Sequence, residues 1–396
     1  MMQISPETQL FIREHSSDDV RVLALQAKKY PDIDMPTAIT QIAGRKVAAE
    51  KIPSWWEIEK IWYPKHLSLE QCSSEITARY KARLLQGDSL TDLTGGFGID
   101  CSFLATGFKS ATYVERQEEL CEIAAHNFPV LNLNHINIKN EDGVTYLQVM
   151  SPVDSLFLDP ARRNEHGGKT VAISDCEPNV AELEELLLQK ANRVMIKLSP
   201  MLDLSLALKE LKQTQEVHIL SVNNECKELL ILLGQTSPTE ISSHCVNLST
   251  KGTQEEQHFV FTREQEQCSE CTYTDSLETY LYEPNASLLK AGAFRSIAAA
   301  YLVRKLHPNS HLYTSDTFIE NFPGRIFRIV NQCSFNKKEV KENLADLKKA
   351  NVTVRNFPAT VAELRKRIHL AEGGDTYLFA STLNNGQKVL IRCEKV

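Results

Sequence analysis

Leu90-Thr91-Asp92-Leu93-Thr94-Gly95-Gly96-Phe97-Gly98-Ile99-Asp100 is the most informative passage of the 396-residue chain. An apolar run enters Asp92 and then meets Gly95, Gly96 and Gly98, the pattern of a strand that turns sharply into a helix beneath a nucleotide-like ligand. A Cβ in such a turn holds a ligand away from the backbone N–H groups, so glycine is the residue that fits. The next apolar run ends in Glu115, roughly 20 residues past the glycines, the separation at which a carboxylate meets a ribose.

Outward from this turn the chain alternates. Strands are expected at 90–94, 111–115, 135–139, 155–159, 193–198 and 216–222. Helices are expected between them at 99–106, 117–128, 141–149, 177–189 and 204–212. Strands separated by helix-length segments imply right-handed crossovers and a parallel sheet covered on both faces. Extended segments at 228–233, 246–248 and 258–262 read as antiparallel edge additions.

Upstream, residues 1–80 read as short helices. Ser5-Pro6-Glu7 and Ser17-Asp18-Asp19 are helix starts, and Pro31, Pro36, Pro53 and Pro64 interrupt the region. Trp55, Trp56, Trp62 and Tyr63 cluster at its end, better suited to an aromatic core than to stacking on bases.

A chain of this length requires two to four domains. No apolar run reaches the length of a membrane span, and the first twenty residues carry Glu7, Glu14, Asp18 and Asp19 in place of an apolar leader. The expected address is the cytoplasm, with no membrane partner. The ten cysteines are scattered, which fits free thiols. Cys268 and Cys271 form a lone C-x-x-C pair, too little for a zinc site, and no metal is expected. Cys176, just before a helix, reads as a structural thiol. The net charge of −7 conceals an uneven distribution. Residues 321–368 hold eleven Lys or Arg against four Asp or Glu, so a basic module sits in an otherwise acidic chain.

Thr94 stands where a dinucleotide-binding turn has its first glycine, leaving Asp92-x-Thr94-x-Gly96-x-Gly98. This resembles motif I of the class I S-adenosylmethionine-dependent methyltransferases. The resemblance implies a Rossmann-like domain on a mostly parallel seven-stranded sheet. It also implies a cofactor site made of Asp92, Thr94, Gly95, Gly96, Phe97, Gly98, Glu115 and Asp142, with Asp142 at the adenine amine. Asp159-Pro160-Ala161-Arg162-Arg163 falls at the motif IV position, facing the transferable methyl group. Asp159 and Pro160 are the catalytic candidates there, Asp159 also lining the cofactor. Enzymes that methylate exocyclic amines usually carry a second proline and an aromatic residue where this chain has Ala161 and Arg162. An arginine plane can stack on a base or pair with a phosphate, so Arg162 and Arg163 are substrate-binding candidates.

Further along, a helix is expected at about 286–306. A compact βαβαββ tail follows, with strands at 325–330, 352–357, 376–383 and 388–393. Its helices are expected at 337–350 and from the Thr360-Val361-Ala362-Glu363 capping box through Leu370. Together with Tyr282-Glu283-Pro284-Asn285-Ala286, this tail is similar to bacterial class I methyltransferases that carry a THUMP-like C-terminal domain preceded by a ferredoxin-like insert. The division is then an N-terminal helical region at 1–80, the methyltransferase domain at 81–265, a ferredoxin-like or connector region at 266–318, and a THUMP-like α+β domain at 319–396. THUMP domains present structured RNA, so the resemblance implies a tRNA or rRNA substrate gripped through basic residues such as Arg365, Lys366 and Arg367. Methylation of a protein or small molecule, and non-catalytic RNA binding by a protein that retains cofactor affinity as a structural element, remain open on these residues.

Overall fold

Polar caps and prolines cut the N-terminal region into short helices: α1 (Pro6–Glu14), α2 (Val20–Leu25), α3 (Met35–Lys51), α4 (Pro53–Trp56), α5 (His66–Gln71) and α6 (Glu75–Ala82). Ser5 Oγ accepts the Thr8 N–H at 3.2 Å, with Pro6 opening α1, and Asp19 caps α2 by accepting the Arg21 N–H at 2.8 Å. Trp55 and Tyr63 are buried in one cluster with Phe97 and Ile99. Of the expected aromatic group only Trp56 is exposed.

This computed structural model describes residues 4–162, 172–236, 238–250 and 256–396. The chain forms two compact units, Met1–Gln215 with Leu230–Pro238, and Glu216–Leu229 with Thr239–Val396.

The first unit carries β1 (Ser89–Asp92), α7 (Ile99–Ala105), β2 (Ser110–Glu115), α8 (Glu118–Val130), β3 (Ile136–Asn140), α9 (Gly143–Val149) and β4 (Val153–Leu158). After a short ribbon of β5 (Ala161–Arg162) and β6 (Cys176–Glu177) come α10 (Val180–Lys190), β7 (Ala191–Leu198) and α11 (Leu204–Glu210). Ladders β3–β2, β2–β1, β1–β4 and β4–β7 are all parallel. Leu156, Phe157, Leu158, Val194, Met195 and Ile196 are buried, as both-face coverage of parallel strands requires.

Beyond β7 lie β8 (Thr214–Val222), β9 (Glu225–Gly234), β10 (Ser242–Leu248) and β11 (Glu256–Thr262). The whole sheet has nine strands in the order β11-β10-β8-β9-β7-β4-β1-β2-β3, two more than the seven of the expected domain. The expectation of antiparallel edge strands holds for β11 on β10 but not for β10, which runs parallel to β8. Asn223 and Asn224, both left-handed, reverse the chain from β8 into β9, so β10 returns in the direction of β8.

The second unit continues with α12 (Arg263–Cys268), β12 (Tyr280–Pro284), α13 (Ala286–Ala291), α14 (Arg295–Tyr301), β13 (Arg304–Lys305) and β14 (Tyr313–Ser315). The tail is β15 (Gly324–Ser334), α15 (Lys337–Leu344), β16 (Asn351–Val354), α16 (Val361–Ile368), β17 (Thr376–Thr382) and β18 (Lys388–Lys395), the expected βαβαββ order. The single helix expected at 286–306 is two, separated where Gly292 takes a φ of +78°. The helix expected at 337–350 stops at Leu344. Thr360 and Glu363 form the expected capping box. One seven-stranded sheet, β13-β14-β12-β15-β18-β17-β16, gathers these strands around Leu281, Phe327, Phe379 and Ile391.

Glu283 of β12 is 1% exposed and lies between two arginines. Arg325 Nε donates to its Oε2 at 2.8 Å and Arg355 Nη2 to its Oε1 at 3.1 Å. The conspicuous Tyr282–Ala286 segment is therefore a structural joint, with Asn285 capping α13. Glu283→Ala leaves both guanidiniums unpaired. It should cost about 2–3 kcal/mol by urea denaturation, below the full buried-pair value because each arginine is about a third exposed. Glu394→Ala, which removes the exposed partner of Arg328, should cost less than about 1 kcal/mol in the same measurement.

Candidate active site

Three strand ends of the first unit converge on the glycine turn. Gly96 and Gly98 have φ of +55° and +85°, which admit glycine with little strain. Gly95 is required for a different reason: a Cβ there would lie 2.2 Å from the Tyr113 ring beneath the turn. Its N–H donates to the Val114 carbonyl at 2.9 Å. Glu115 at the end of β2 accepts the Gly96 N–H at 2.9 Å and the Gln117 N–H at 2.8 Å, so one carboxylate fixes both loops. At the end of β3 a Cβ on Gly143 would fall 2.1 Å from the Leu93 carbonyl oxygen, and only glycine lets these loops approach so closely.

Asp92 is 1% exposed. Its Oδ1 accepts the Thr94 N–H at 2.9 Å, while its Oδ2 is buried with no hydrogen-bond partner among the described residues. Burial, helped by the nearby Asp100 and Asp159 carboxylates, pushes its pKa up to about 8. Thr94 Oγ1 accepts the Asp159 N–H at 2.6 Å, which ties the glycine turn to the end of β4.

Behind the turn lies a charged network that the sequence reading did not assign. Lys197, the penultimate residue of β7, has its Nζ 2.5 Å from Asp159 Oδ2 and 3.1 Å from Asp100 Oδ2. Lys81 of α6 is fully buried and lies 2.9 Å from Asp100 Oδ1. Ser73 Oγ donates to Asp100 Oδ2 at 2.7 Å and accepts from both lysines. Burial raises the Asp100 pKa, but the Lys197 and Lys81 ammonium groups override it and hold the carboxyl well below the usual range. Asp159 stands above its ordinary value, burial outweighing the pull of Lys197. The one available signal was positional: Lys197 follows the apolar run Val194-Met195-Ile196, where a charge is costly unless paired.

The structure thus brings together Asp92, Thr94, Gly95, Gly96, Gly98, Glu115, Asp159 and the buried Pro160. Phe97 lies in the turn, but its ring packs in the aromatic core, 5.2 Å from the Trp55 ring. Asp142 is the exposed N-cap of α9, where its Oδ1 accepts from Val144 N at 3.1 Å and Thr145 N at 3.0 Å. Arg162 pairs through its backbone with the buried Cys176, and Arg163 lies outside the described residues. Arg365, Lys366 and Arg367 lie on α16 of the second unit. Consecutive helical residues fan about 100° apart, so these three do not share a face. Lys366 is exposed, the Arg367 guanidinium covers the Phe335 ring at 4.1 Å, and Arg365 is half-buried 3.8 Å from Glu372.

Residues 280–323 match a ferredoxin-like domain model and residues 324–395 a THUMP domain-like model. The crystal structure of a "putative methyltransferase" from Porphyromonas gingivalis W83 is 34% identical, covers 100% of both chains, and superimposes with a TM-score of 0.88. The chain belongs to the bacterial class I methyltransferase family with a ferredoxin-like insert and a THUMP-like C-terminal domain. The family resemblance extends over the full length, because the P. gingivalis chain is covered end to end. An rRNA methylase from Streptococcus thermophilus is 14% identical over 40% of this chain and 93% of its own, with a TM-score of 0.30. The TrmK structure from M. capricolum with S-adenosyl-homocysteine is 12% identical over 41% and 68%, with a TM-score of 0.31. Likeness at that level carries no weight here. Among curated proteins no match is found. Among the described residues no helix is long and apolar enough to cross a membrane.

A carboxyl whose folded pKa lies near 8, against 3.8 in the unfolded chain, takes up a proton on folding. Its favourable contribution is fully present below about pH 4 and is lost as pH rises toward 8. Asp92→Asn removes that loss. The variant should unfold at a higher temperature than the parent at pH 8, with the difference shrinking toward pH 4. Equal shifts at both pH values would contradict a protonated Asp92.

Proposed function

We propose that this chain is an S-adenosylmethionine-dependent methyltransferase acting in the cytoplasm on a base of structured RNA, tRNA or rRNA. The observation that carries the reading is the convergence of buried Asp92 and Glu115 and the partly exposed Asp159 on a turn whose glycines leave the backbone approachable. The unpartnered buried Oδ2 of Asp92 suits the cationic methionine end of that cofactor.

In this reading Asp92, Thr94, Gly95, Gly96 and Gly98 hold the cofactor, with Phe97 contributing backbone only. Glu115 offers its remaining acceptor capacity to the ribose, and Asp142 flanks the adenine. The bound cofactor supplies an activated methyl group, so the protein's chief task is alignment. Asp159 and Pro160 line the transfer site, and Lys197 and Thr94 fix the position of Asp159. Arg162 and Arg163 contact the substrate, while Arg365, Lys366 and Arg367 belong to the module that grips the RNA backbone.

A cation placed beside a protonated Asp92 displaces its proton. Calorimetry of S-adenosylmethionine binding at pH 7 should therefore show proton release, read as a dependence of the heat on buffer ionisation, and Asp92→Asn should abolish it. RNA affinity should fall steeply with salt, and less steeply when Arg365, Lys366 and Arg367 become alanine. Mass spectrometry of tRNA and rRNA nucleosides from cells lacking the chain should show one methylated nucleoside missing, restored by the parent gene but not by Asp159→Ala. An unchanged profile with intact cofactor binding favours a protein or small-molecule substrate. Cofactor and RNA binding with no methyl transfer to any RNA leaves a non-catalytic RNA-binding protein that keeps cofactor affinity as a structural element, and absence of cofactor binding contradicts the proposal.

A further inference from the structure

The second unit holds a cluster of imidazoles for which the proposed reaction has no use. Glu216 and His218 alternate on one face of β8, Ser242 and His244 follow the same alternation on β10, and His258 comes from β11. The register sets His218 directly beside His244 and Glu216 beside Ser242. The rings of His218 and His244 stack at 4.3 Å and 16°, and His244 Nδ1 lies 3.2 Å from His258 Nε2. His218 Nε2 is 3.2 Å from Glu216 Oε2, and Ser242 Oγ is 3.1 Å from His244 Nε2. One ligand atom from each of Glu216, His218 and His244 can be chosen so that all lie within 4.8 Å of one another.

We propose that Glu216, His218 and His244, with His258 as a fourth donor, bind a divalent transition-metal ion of the zinc type. Three imidazoles and one carboxylate form a borderline donor set, suited to zinc, cobalt or nickel and poorly suited to magnesium or calcium. Donors around a tetrahedral zinc stand about 3.3 Å apart, given bond lengths near 2.0–2.1 Å. The His244–His258 separation already matches, and the Glu216, His218 and His244 donors, now within 4.8 Å of one another, would have to move closer on binding. Paired strands fix the Cα positions, so little backbone order is lost on binding. His258 is exposed and His244 half-buried, which leaves an entry path. Such an ion would clip β8, β10 and β11 together at positions remote in sequence from the glycine turn.

The test uses the full chain without a polyhistidine tag, in a Cys268→Ser/Cys271→Ser background that removes the C-x-x-C pair, after chelator treatment. Zinc chloride titrated by calorimetry should bind at one ion per chain and raise the unfolding temperature, while magnesium chloride does neither. Cobalt(II) should give a visible spectrum without a thiolate charge-transfer band. His244→Gln and His258→Gln should each weaken zinc binding on the order of tenfold or more, with circular dichroism unchanged. His258 is exposed, so its variant keeps the test informative should His244→Gln unfold. Absence of zinc binding by the parent, a thiolate band, or binding indifferent to both histidine substitutions would overturn the proposal. S-adenosylmethionine binding by the His258→Gln variant should match the parent, which separates failure here from failure of the proposed function.

Discussion

Two lysines and two aspartates meet behind the glycine turn, and their mutual need for counter-charge constrains the site more than any other interaction in the first unit. Lys81 is wholly buried, and Lys197 and Asp100 nearly so. Isolated charges in such surroundings cost several kcal/mol each, so each must find its partner within a narrow range of positions. Lys81 comes from the last N-terminal helix, Asp100 from the helix that leaves the turn, Lys197 from β7, and Asp159 from the end of β4. Satisfying all four fixes these elements relative to one another. The N-terminal helices are thereby part of the site's foundation, reinforced by Phe97 packed against Trp55 and Tyr63.

Above this foundation the turn divides its glycines by task. Gly96 and Gly98 supply backbone geometry that other residues resist, whereas Gly95 makes room for Tyr113. Glu115 then serves as a brace before it meets any ligand, because both its oxygens already accept backbone N–H groups. A residue of this kind is at once structural and available, since each carboxylate oxygen has a second lone pair. The corresponding joint in the second unit is Glu283, held by two arginines that composition alone would count toward a basic surface.

The alternation of strands and helices was legible because parallel strands are apolar throughout and their crossovers are capped by recognisable residues. The same applies to the capping box at Thr360 and Glu363 and to the order of the tail. Strand pairing was less so: β10 pairs with β8 and not with β9, which precedes it in the chain, and a short apolar run does not record its partner. Around the turn, Asp92 and Glu115 stand out by spacing and Thr94 and Asp159 through the family resemblance, whereas Lys81, Asp100 and Lys197 do not. They are distant in sequence, and nothing local distinguishes a lysine that turns inward from one on a solvated helix face. Phe97 shows the converse, a residue inside the motif whose side chain belongs to the core. The histidines of β8, β10 and β11 likewise become a cluster only through strand register.

The central claim is that the β1–α7 turn and the end of β2 form one cradle for a nucleoside-bearing ligand. Hydrogen–deuterium exchange of the full chain with and without S-adenosylhomocysteine tests it most directly. The account predicts slowed exchange in residues 92–98 and 115–117 on adding the ligand. Saturating ligand that leaves both segments unchanged, or protects only another part of the chain, would contradict it.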